Sequence, residues 1–181
     1  MTIVKGWLET AKKLESPNAD SRPDPNDISL LVIHNISLPP EQFGGPCIEH
    51  LFSNHLDPEA HPYFRDIYTL KVSSHLLIDR EGKITQFVPF EKRAWHAGVS
   101  EFQGRQRCND FSIGIELEGA DHIPYADAQY LTLAEVSRDI INEYPMITQN
   151  NIVGHSDIAP DRKTDPGEAF DWHRYRRLFK G

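Results

Sequence analysis

Residues 29–34 read Ser-Leu-Leu-Val-Ile-His, a short and almost unbroken apolar run that ends at His34. A run of this length and composition is typical of a strand that is buried on both faces. A second run, residues 111–117 (FSIGIEL), alternates between large apolar and small or polar residues. In a strand, this alternation places Glu116 on the side opposite the two isoleucines and the leucine. The two runs therefore predict two core strands, each of which carries a side chain capable of acid–base chemistry.

Further elements follow from turn residues and from apolar residues at helical spacing. Residues 72–79 and 83–88 flank a turn at Gly82 and predict a hairpin, whereas Pro145 ends a helix predicted over residues 127–144. The remaining predicted elements are a helix over 48–56, a brief strand at 152–153, a terminal helix over 170–179, and an irregular, partly proline-rich lead-in over about residues 1–28. We therefore predict one α/β (α+β) domain spanning residues 1–181, in which helices flank a mixed central β-sheet.

Composition and charge disfavour several classes of protein. The chain has 181 residues, 39% of them hydrophobic and 25% charged, which fits one globular domain. Its net charge of −8 disfavours binding to nucleic acid or to an anionic membrane surface. No run approaches the roughly 20 apolar residues of a membrane span, and the first residues lack the apolar core of a signal peptide. We therefore expect a monomeric cytoplasmic protein in which Cys47 and Cys108 are reduced thiols.

Three residues have the chemistry of a catalytic zinc site: His34 at the end of the first core strand, His155, and Asp165. Imidazole nitrogen and carboxylate oxygen are zinc ligands, and three of them leave a fourth position for water. Spacing alone leaves alternatives open, because nine histidines offer many triplets and a histidine at the end of a strand is commonly a hydrogen-bonded structural residue. Likewise, Glu116 alone is compatible with a surface ion pair, and Lys163 with an exposed loop position.

Four long segments resemble one known family: residues 29–46 (SLLVIHNISLPPEQFGGP), 93–100 (RAWHAGVS), 108–119 (CNDFSIGIELEG) and 154–167 (GHSDIAPDRKTDPG). They are similar to the zinc-dependent N-acetylmuramoyl-L-alanine amidases, a family that includes phage-type amidases and peptidoglycan recognition proteins. The resemblance implies the amidase fold and hydrolysis of the amide bond between a muramyl sugar and L-alanine. It is strongest to the members that cleave small, soluble 1,6-anhydro muropeptides in the cytoplasm during peptidoglycan recycling.

The resemblance also implies a role for each candidate residue. One Zn²⁺ per chain is expected on His34, His155 and Asp165. Glu116 is expected to move protons during hydrolysis, and Lys163 to stabilise the transition state. Contacts with the substrate are expected from five further residues, listed here in chain order: Asn35, Lys71, Trp95, His96 and Arg107.

Two further histidines are expected to be non-catalytic, and two alternative functions remain open. We interpret His75, in the middle of a predicted strand, as a structural residue or a support for the metal ligands, and His61, which precedes a proline, as a loop residue. A muropeptide-binding module without catalysis is the main alternative function, although such a module would typically lack a zinc ligand. A nucleic-acid-binding regulator is a second alternative, for which the expected basic face is not evident.

Overall fold

The computed structural model describes residues 1–180 and contains a central six-stranded sheet with helices packed against it. Its strands are β1 (Ile3–Val4), β2 (Trp7–Leu8), β3 (Lys12–Lys13), β4 (Ala19–Ser21), β5 (Leu30–Ile36), β6 (Leu76–Ile78), β7 (Ile84–Gln86), β8 (Lys92–Ala94), β9 (Glu101–Phe102), β10 (Arg105–Gln106), β11 (Ser112–Glu118) and β12 (Ile152–Gly154). Its helices are α1 (Cys47–Phe52), α2 (Phe64–Ile67), α3 (Asp127–Glu143), α4 (His155–Ile158) and α5 (Trp172–Lys180).

The central sheet is mixed, in the order β12-β5-β11-β6-β7-β3. The four strands from β12 to β6 are parallel to one another, β6 and β7 form an antiparallel hairpin, and β3 joins the edge parallel to β7. All seven residues of β11 are buried, as expected for a central parallel strand covered on both faces. The mixed sheet and flanking helices confirm the predicted fold class.

The two faces of β5 and β11 carry different side chains. Leu31 and Ile33 of β5, together with the isoleucines of β11, belong to the largest apolar cluster, which also contains the buried side of α3. The opposite face of β5 carries Leu30 and Val32, which pack in a smaller apolar cluster, and then His34. Period-two alternation thus puts His34 on the face away from α3, and Glu116 lies beside it in register.

The predicted lead-in over residues 1–28 is not wholly irregular, because β1 to β4 lie within it. Its contacts are long-range: the Leu8 amide donates to the side-chain oxygen of Gln86 at 2.7 Å, and the Gln86 amide donates to the Gly6 carbonyl at 2.7 Å. Strands of two or three residues show no readable periodicity. β1 and β2 pair with each other, whereas the partners of β3 and β4 are 70 or more residues away in the sequence. The sequence pattern therefore missed them.

Other boundaries shift by a few residues. The predicted helix over 48–56 is α1, which ends at Phe52 because the Ser53 hydroxyl donates to the Glu49 carbonyl and Asn54 adopts a left-handed φ of 63°. The hairpin strands are shorter than predicted, and α5 begins two residues after the predicted start. The helix predicted over 127–144 is confirmed as α3. No helix within residues 1–180 is long and apolar enough to cross a membrane.

The buried position of Leu8 makes the N-terminal segment a testable part of the core. Leu8 is fully buried in the largest apolar cluster. We expect Leu8→Ala to lower the free energy of unfolding by about 2–5 kcal/mol, because it removes buried methyl groups and leaves a cavity. Urea denaturation followed by circular dichroism measures the change. Val4→Ala, at an exposed position of β1, is the control and should change it by less than about 0.5 kcal/mol; equal effects would contradict a packed N-terminal segment.

Candidate metal centre and substrate cleft

His34, His155 and Asp165 converge at one end of the sheet. His34 lies on β5, and His155 opens α4 directly after β12, which pairs with β5. The Nδ1 atoms of the two histidines are 3.0 Å apart, and each is 3.0 Å from Asp165 Oδ2. Each residue therefore offers one ligand atom, and the three ligand atoms lie within 4.8 Å of one another. These three residues form a possible metal site, and we refer to this group of three side chains as the metal cluster.

The protonation states of the cluster suit a metal. Burial lowers the pKa of His34 to about 4, and it does so against the neighbouring Asp165 carboxylate, which favours the charged imidazole. Burial acts to raise the pKa of Asp165, but the hydrogen bonds with His155 and His34 outweigh it and hold that pKa well below its usual value. A neutral imidazole and an ionised carboxylate are the forms that bind metals. Two imidazoles and one carboxylate match the ligand set of catalytic zinc sites.

His96 contacts the metal cluster from outside. Its Nδ1 is 2.8 Å from His34 Nε2, the nitrogen that points away from the cluster, and its Nε2 is 3.0 Å from the Ser112 hydroxyl. The ring packs so closely on β11 that a Cβ at Gly114 would lie 2.5 Å from His96 Cγ. His96 does line the cleft, but both of its nitrogens already have protein partners. It is therefore poorly placed to hydrogen-bond a substrate.

Glu116 is a buried carboxyl group beside the metal cluster. Its Cα pairs with that of His34 across β5 and β11, and the residue is 8% exposed. Its Oε2 atom is buried and has no hydrogen-bond partner among residues 1–180. Burial raises the pKa of Glu116 well above its usual value, and the negative charge of Asp165 raises it further. The carboxyl group is thus available to exchange a proton with a molecule in the cleft.

Lys163 lies on the loop between α4 and Asp165. Its backbone amide donates to the Ala159 carbonyl at 2.9 Å, which ties the loop to the end of α4. Lys163 lines the same cleft as the metal cluster and makes none of the ion pairs found within residues 1–180. Its positive charge acts on both His34 and Glu116. The cluster is therefore bordered by a lysine that forms no ion pair with the residues the structure describes.

These groups line one cleft of about 370 Å³. The metal cluster, Glu116 and Lys163 form its polar part. Besides Trp95, its apolar part comes from three separate chain segments and consists of Ile36, Leu38, Pro40, Leu51, Phe52, Tyr63, Ile67, Leu70 and Val72. This apolar part was not predicted from the sequence, because its side chains come from separate segments and nothing in each segment alone indicates a shared surface.

The predicted substrate contacts divide into two groups. Asn35 and Trp95 line the cleft, and the Asn35 amide donates to Asp121 Oδ1 at 2.8 Å. Lys71 is exposed between two residues that line the cleft. Arg107 is also exposed and lines a different cavity of about 470 Å³. Its Nε atom lies 3.3 Å from Asp110 Oδ2. The structure therefore brings Asn35 and Trp95 to the metal cluster and leaves Arg107 outside the cleft.

The two histidines interpreted as non-catalytic lie away from the metal cluster. His75 is fully buried; its Nδ1 accepts from the Gly114 amide at 3.0 Å, and its Nε2 is 3.0 Å from the Lys92 carbonyl. His61 lies in the loop before α2, where its Nδ1 accepts from the Tyr63 amide at 3.2 Å. Both side chains thus hold neighbouring backbone in place.

Comparison with known proteins agrees with this geometry. The model of the family described as N-acetylmuramoyl-L-alanine amidase matches residues 24–168, which include every member of the metal cluster. The chain belongs to this amidase family. The predicted family resemblance and enzyme class are confirmed.

Individual relatives of this amidase extend the match to nearly the whole chain. The 1,6-anhydro-N-acetylmuramyl-L-alanine amidase AmpD of Salmonella typhimurium (strain SL1344) is 62% identical over 96% of this chain and 92% of its own length. A solved structure of a selenomethionine derivative of AmpD is 60% identical, covers 98% of this chain and 99% of its own, and has a TM-score of 0.96.

A more distant amidase has been solved with a ligand. This is Escherichia coli AmiD in complex with the substrate anhydro-N-acetylmuramic acid-L-Ala-D-gamma-Glu-L-Lys. It is 30% identical to this chain, covers 95% of it and 60% of its own length, and has a TM-score of 0.61. The amidase fold of this chain is thus shared with a protein that binds an anhydromuropeptide.

Proposed function

We propose that this amidase hydrolyses the bond between 1,6-anhydro-N-acetylmuramic acid and L-alanine in small, soluble muropeptides, as part of peptidoglycan recycling. The observation that carries the proposal is the convergence of the His34, His155 and Asp165 donor atoms beside the unpartnered Oε2 of Glu116, in one cleft. The 62% identity to AmpD, a 1,6-anhydro-N-acetylmuramyl-L-alanine amidase, supports the anhydro sugar as the natural substrate. We further propose that the protein acts as a monomer in the cytoplasm and has no nucleic-acid or membrane partner.

One Zn²⁺ per chain would be held by the Nδ1 atoms of His34 and His155 and by the Asp165 carboxylate. When bound, zinc supplies a water that ionises near neutral pH and a Lewis acid that polarises a carbonyl group. The protein residues around it then have separate tasks: to orient the ligands, to carry protons, and to stabilise the charge that develops on the carbonyl oxygen.

Glu116 carries the proton. Hydrolysis forms a bond between a water oxygen and the carbonyl carbon and breaks the bond between that carbon and the alanine nitrogen. The attacking water must lose a proton, and the departing amine must gain one. A single carboxylate beside both atoms can accept the first proton and deliver the second. The Oε2 atom of Glu116 suits this task, because it forms no hydrogen bond with any group in the described part of the chain.

Lys163 stabilises the negative charge on the carbonyl oxygen. Attack on the amide converts this oxygen into an oxyanion, and a cation aimed at it lowers the barrier more than it stabilises the ground state. Lys163 borders the cleft without a carboxylate partner from residues 1–180. Its ammonium group is therefore free to approach the oxyanion.

The cleft suggests how the substrate lies. Trp95 offers a flat surface to the sugar ring, and Asn35 offers an amide group close to the metal cluster. Lys71, exposed at the rim, pairs with a carboxylate of the stem peptide. Arg107 lies outside the cleft and reaches only a part of the stem peptide that extends beyond it. His96 contributes through His34 rather than through a hydrogen bond to the substrate.

The proposed reaction is tested by incubating the zinc-loaded protein with matched anhydro and non-anhydro muropeptides and identifying the products by mass spectrometry. We expect free stem peptide from both substrates, and faster release from the anhydro form. Binding of the muropeptide without release of stem peptide would replace the amidase proposal with that of a non-catalytic binding module. Equal rates for the two sugars would remove the anhydro preference.

Removal of a metal ligand should abolish metal binding. We expect His34→Ala to lose stoichiometric zinc and all measurable amidase activity while it remains folded, because two ligands hold zinc far more weakly than three. Elemental analysis after dialysis measures the zinc content. His55→Ala, at an exposed histidine, is the control and should retain one zinc per chain. Full zinc and full turnover in His34→Ala would show that the site is wrong.

Replacement of Glu116 should separate chemistry from metal binding. Glu116→Gln keeps the size of the side chain but cannot carry a proton, so we expect kcat to fall by roughly 10²- to 10⁴-fold with zinc still bound. Steady-state kinetics and elemental analysis measure the two effects. Glu135→Gln, at an exposed position of α3, should match the wild type. A kcat within a few-fold of the wild type would exclude Glu116 as the proton carrier.

Replacement of Lys163 should also spare the metal. We expect Lys163→Ala to lower kcat by about 10²-fold or more, with a smaller rise in KM, because the missing cation acts mainly on the transition state. Lys83→Ala, in the exposed hairpin turn, serves as the control. If Lys163→Ala raised KM at unchanged kcat, the lysine would be an anchor for the bound substrate, and its role towards the oxyanion would be refuted.

A further inference from the structure

Both histidines of the metal cluster turn their outer nitrogen towards the same two consecutive residues. His34 Nε2 is 2.8 Å from His96 Nδ1, and His155 Nε2 is 3.2 Å from the Ala97 carbonyl oxygen. We propose that the dipeptide His96–Ala97 is a shared support that sets the tautomer and orientation of both histidines, and that the side chain of Asn109 is the positioning group that holds this dipeptide in place. The proposal rests on the metal site proposed above.

The required proton positions follow from the geometry. With a metal on both Nδ1 atoms, each histidine must carry its single proton on Nε2. His34 then donates to His96 Nδ1, which leaves the proton of His96 on Nε2, where it faces the Ser112 hydroxyl at 3.0 Å. His155 donates to the Ala97 carbonyl oxygen, which can only accept a hydrogen bond and so fixes the proton of His155 on Nε2. A misplaced dipeptide would therefore disturb both metal ligands at once.

Asn109 fixes the dipeptide through two hydrogen bonds to one atom. Its Oδ1 accepts from the backbone amide of His96 at 3.1 Å and from that of Ala97 at 2.8 Å. Asn109 sits on a short 3-10 helix, Cys108–Asp110, whose Asn109 and Asp110 carbonyls both accept from the buried Arg22 guanidinium at 3.2 Å. The support thus runs from Arg22 through Asn109 to the two histidines.

The space around the dipeptide permits little adjustment. Ala97 is fully buried, and its carbonyl also accepts from Arg162 Nη2 at 2.7 Å. The His96 ring lies against the backbone of Gly114, where a Cβ would approach to 2.5 Å. If a change at Asn109 moved the dipeptide, its contacts with Arg162 and Gly114 would therefore be broken. Groups that orient metal ligands in this way typically contribute about 10- to 100-fold to metal affinity.

The test compares two pairs of variants. Asn109→Leu removes the acceptor, whereas Asn109→Asp keeps an oxygen in the same place. His96→Ala removes the acceptor for His34, whereas His96→Asn replaces the ring Nδ1 with an amide oxygen. Asn151→Leu is the matched control, because Asn151 also lies on a short 3-10 helix and its side-chain amide donates to the Ser29 carbonyl. Ser29 precedes His34 by five residues, which is roughly 16 Å along an extended strand.

Three measurements separate positioning from simple stability. Competition with a chromogenic chelator gives the Kd for Zn²⁺, thermal unfolding of the metal-free proteins gives their Tm, and the visible spectrum of the Co²⁺-loaded proteins reports ligand geometry. We expect Asn109→Leu and His96→Ala to weaken zinc binding by about 10- to 100-fold and to alter the Co²⁺ spectrum. Asn109→Asp and His96→Asn should remain within a few-fold of the wild type, and Asn151→Leu should lower Tm alone.

Wild-type affinity in Asn109→Leu, or equal losses in Asn109→Leu and Asn109→Asp, would overturn the positioning role. A wild-type protein that binds zinc but releases no stem peptide would overturn only the proposed function, and the variant comparison would still decide the role of Asn109. A wild-type protein that binds no zinc would overturn both proposals.

Discussion

The parallel pairing of β5 with β11 is the constraint on which the site depends. The pairing register places Glu116 directly beside His34, and the pairing of β12 with β5 delivers His155 to the same end of the sheet. A shift of the register by one residue would turn Glu116 towards the apolar cluster under α3 and carry it away from His34. The aliphatic residues of the two strands, buried on both faces, therefore hold the geometry of the proposed catalytic site as well as the core.

The same burial sets the electrostatic character of the site. A carboxyl group without a partner and three neighbouring histidines would be costly in a core with no further purpose. Here burial lowers the pKa of His34 and raises that of Glu116, so the histidine is held in its metal-binding form and the carboxyl group in a state that can exchange protons. A metal bound by such a cluster requires deprotonated ligands, and its binding is coupled to folding.

The residues that support the proposed metal ligands come from other parts of the sequence than the ligands themselves. Arg22 comes from the N-terminal segment, His96 and Ala97 follow β8, and Asn109 lies just before β11. The N-terminal segment is therefore connected to the proposed metal site through hydrogen bonds as well as to the core through Leu8. This explains why a stretch without readable periodicity is nevertheless well packed.

Local pattern by itself determined much of this protein. The apolar run at residues 29–34, the alternation around Glu116, the hairpin at Gly82 and the helix ending before Pro145 all depend on neighbouring residues, and the family motifs identified the candidate ligands. Only the tertiary structure decided which distant residues meet: the pairing of β3 and β4 with later strands, the apolar part of the cleft, the position of Arg107 outside it, and the contact of His96 with His34. These features depend on contacts between distant segments, and period and composition carry no information about such contacts.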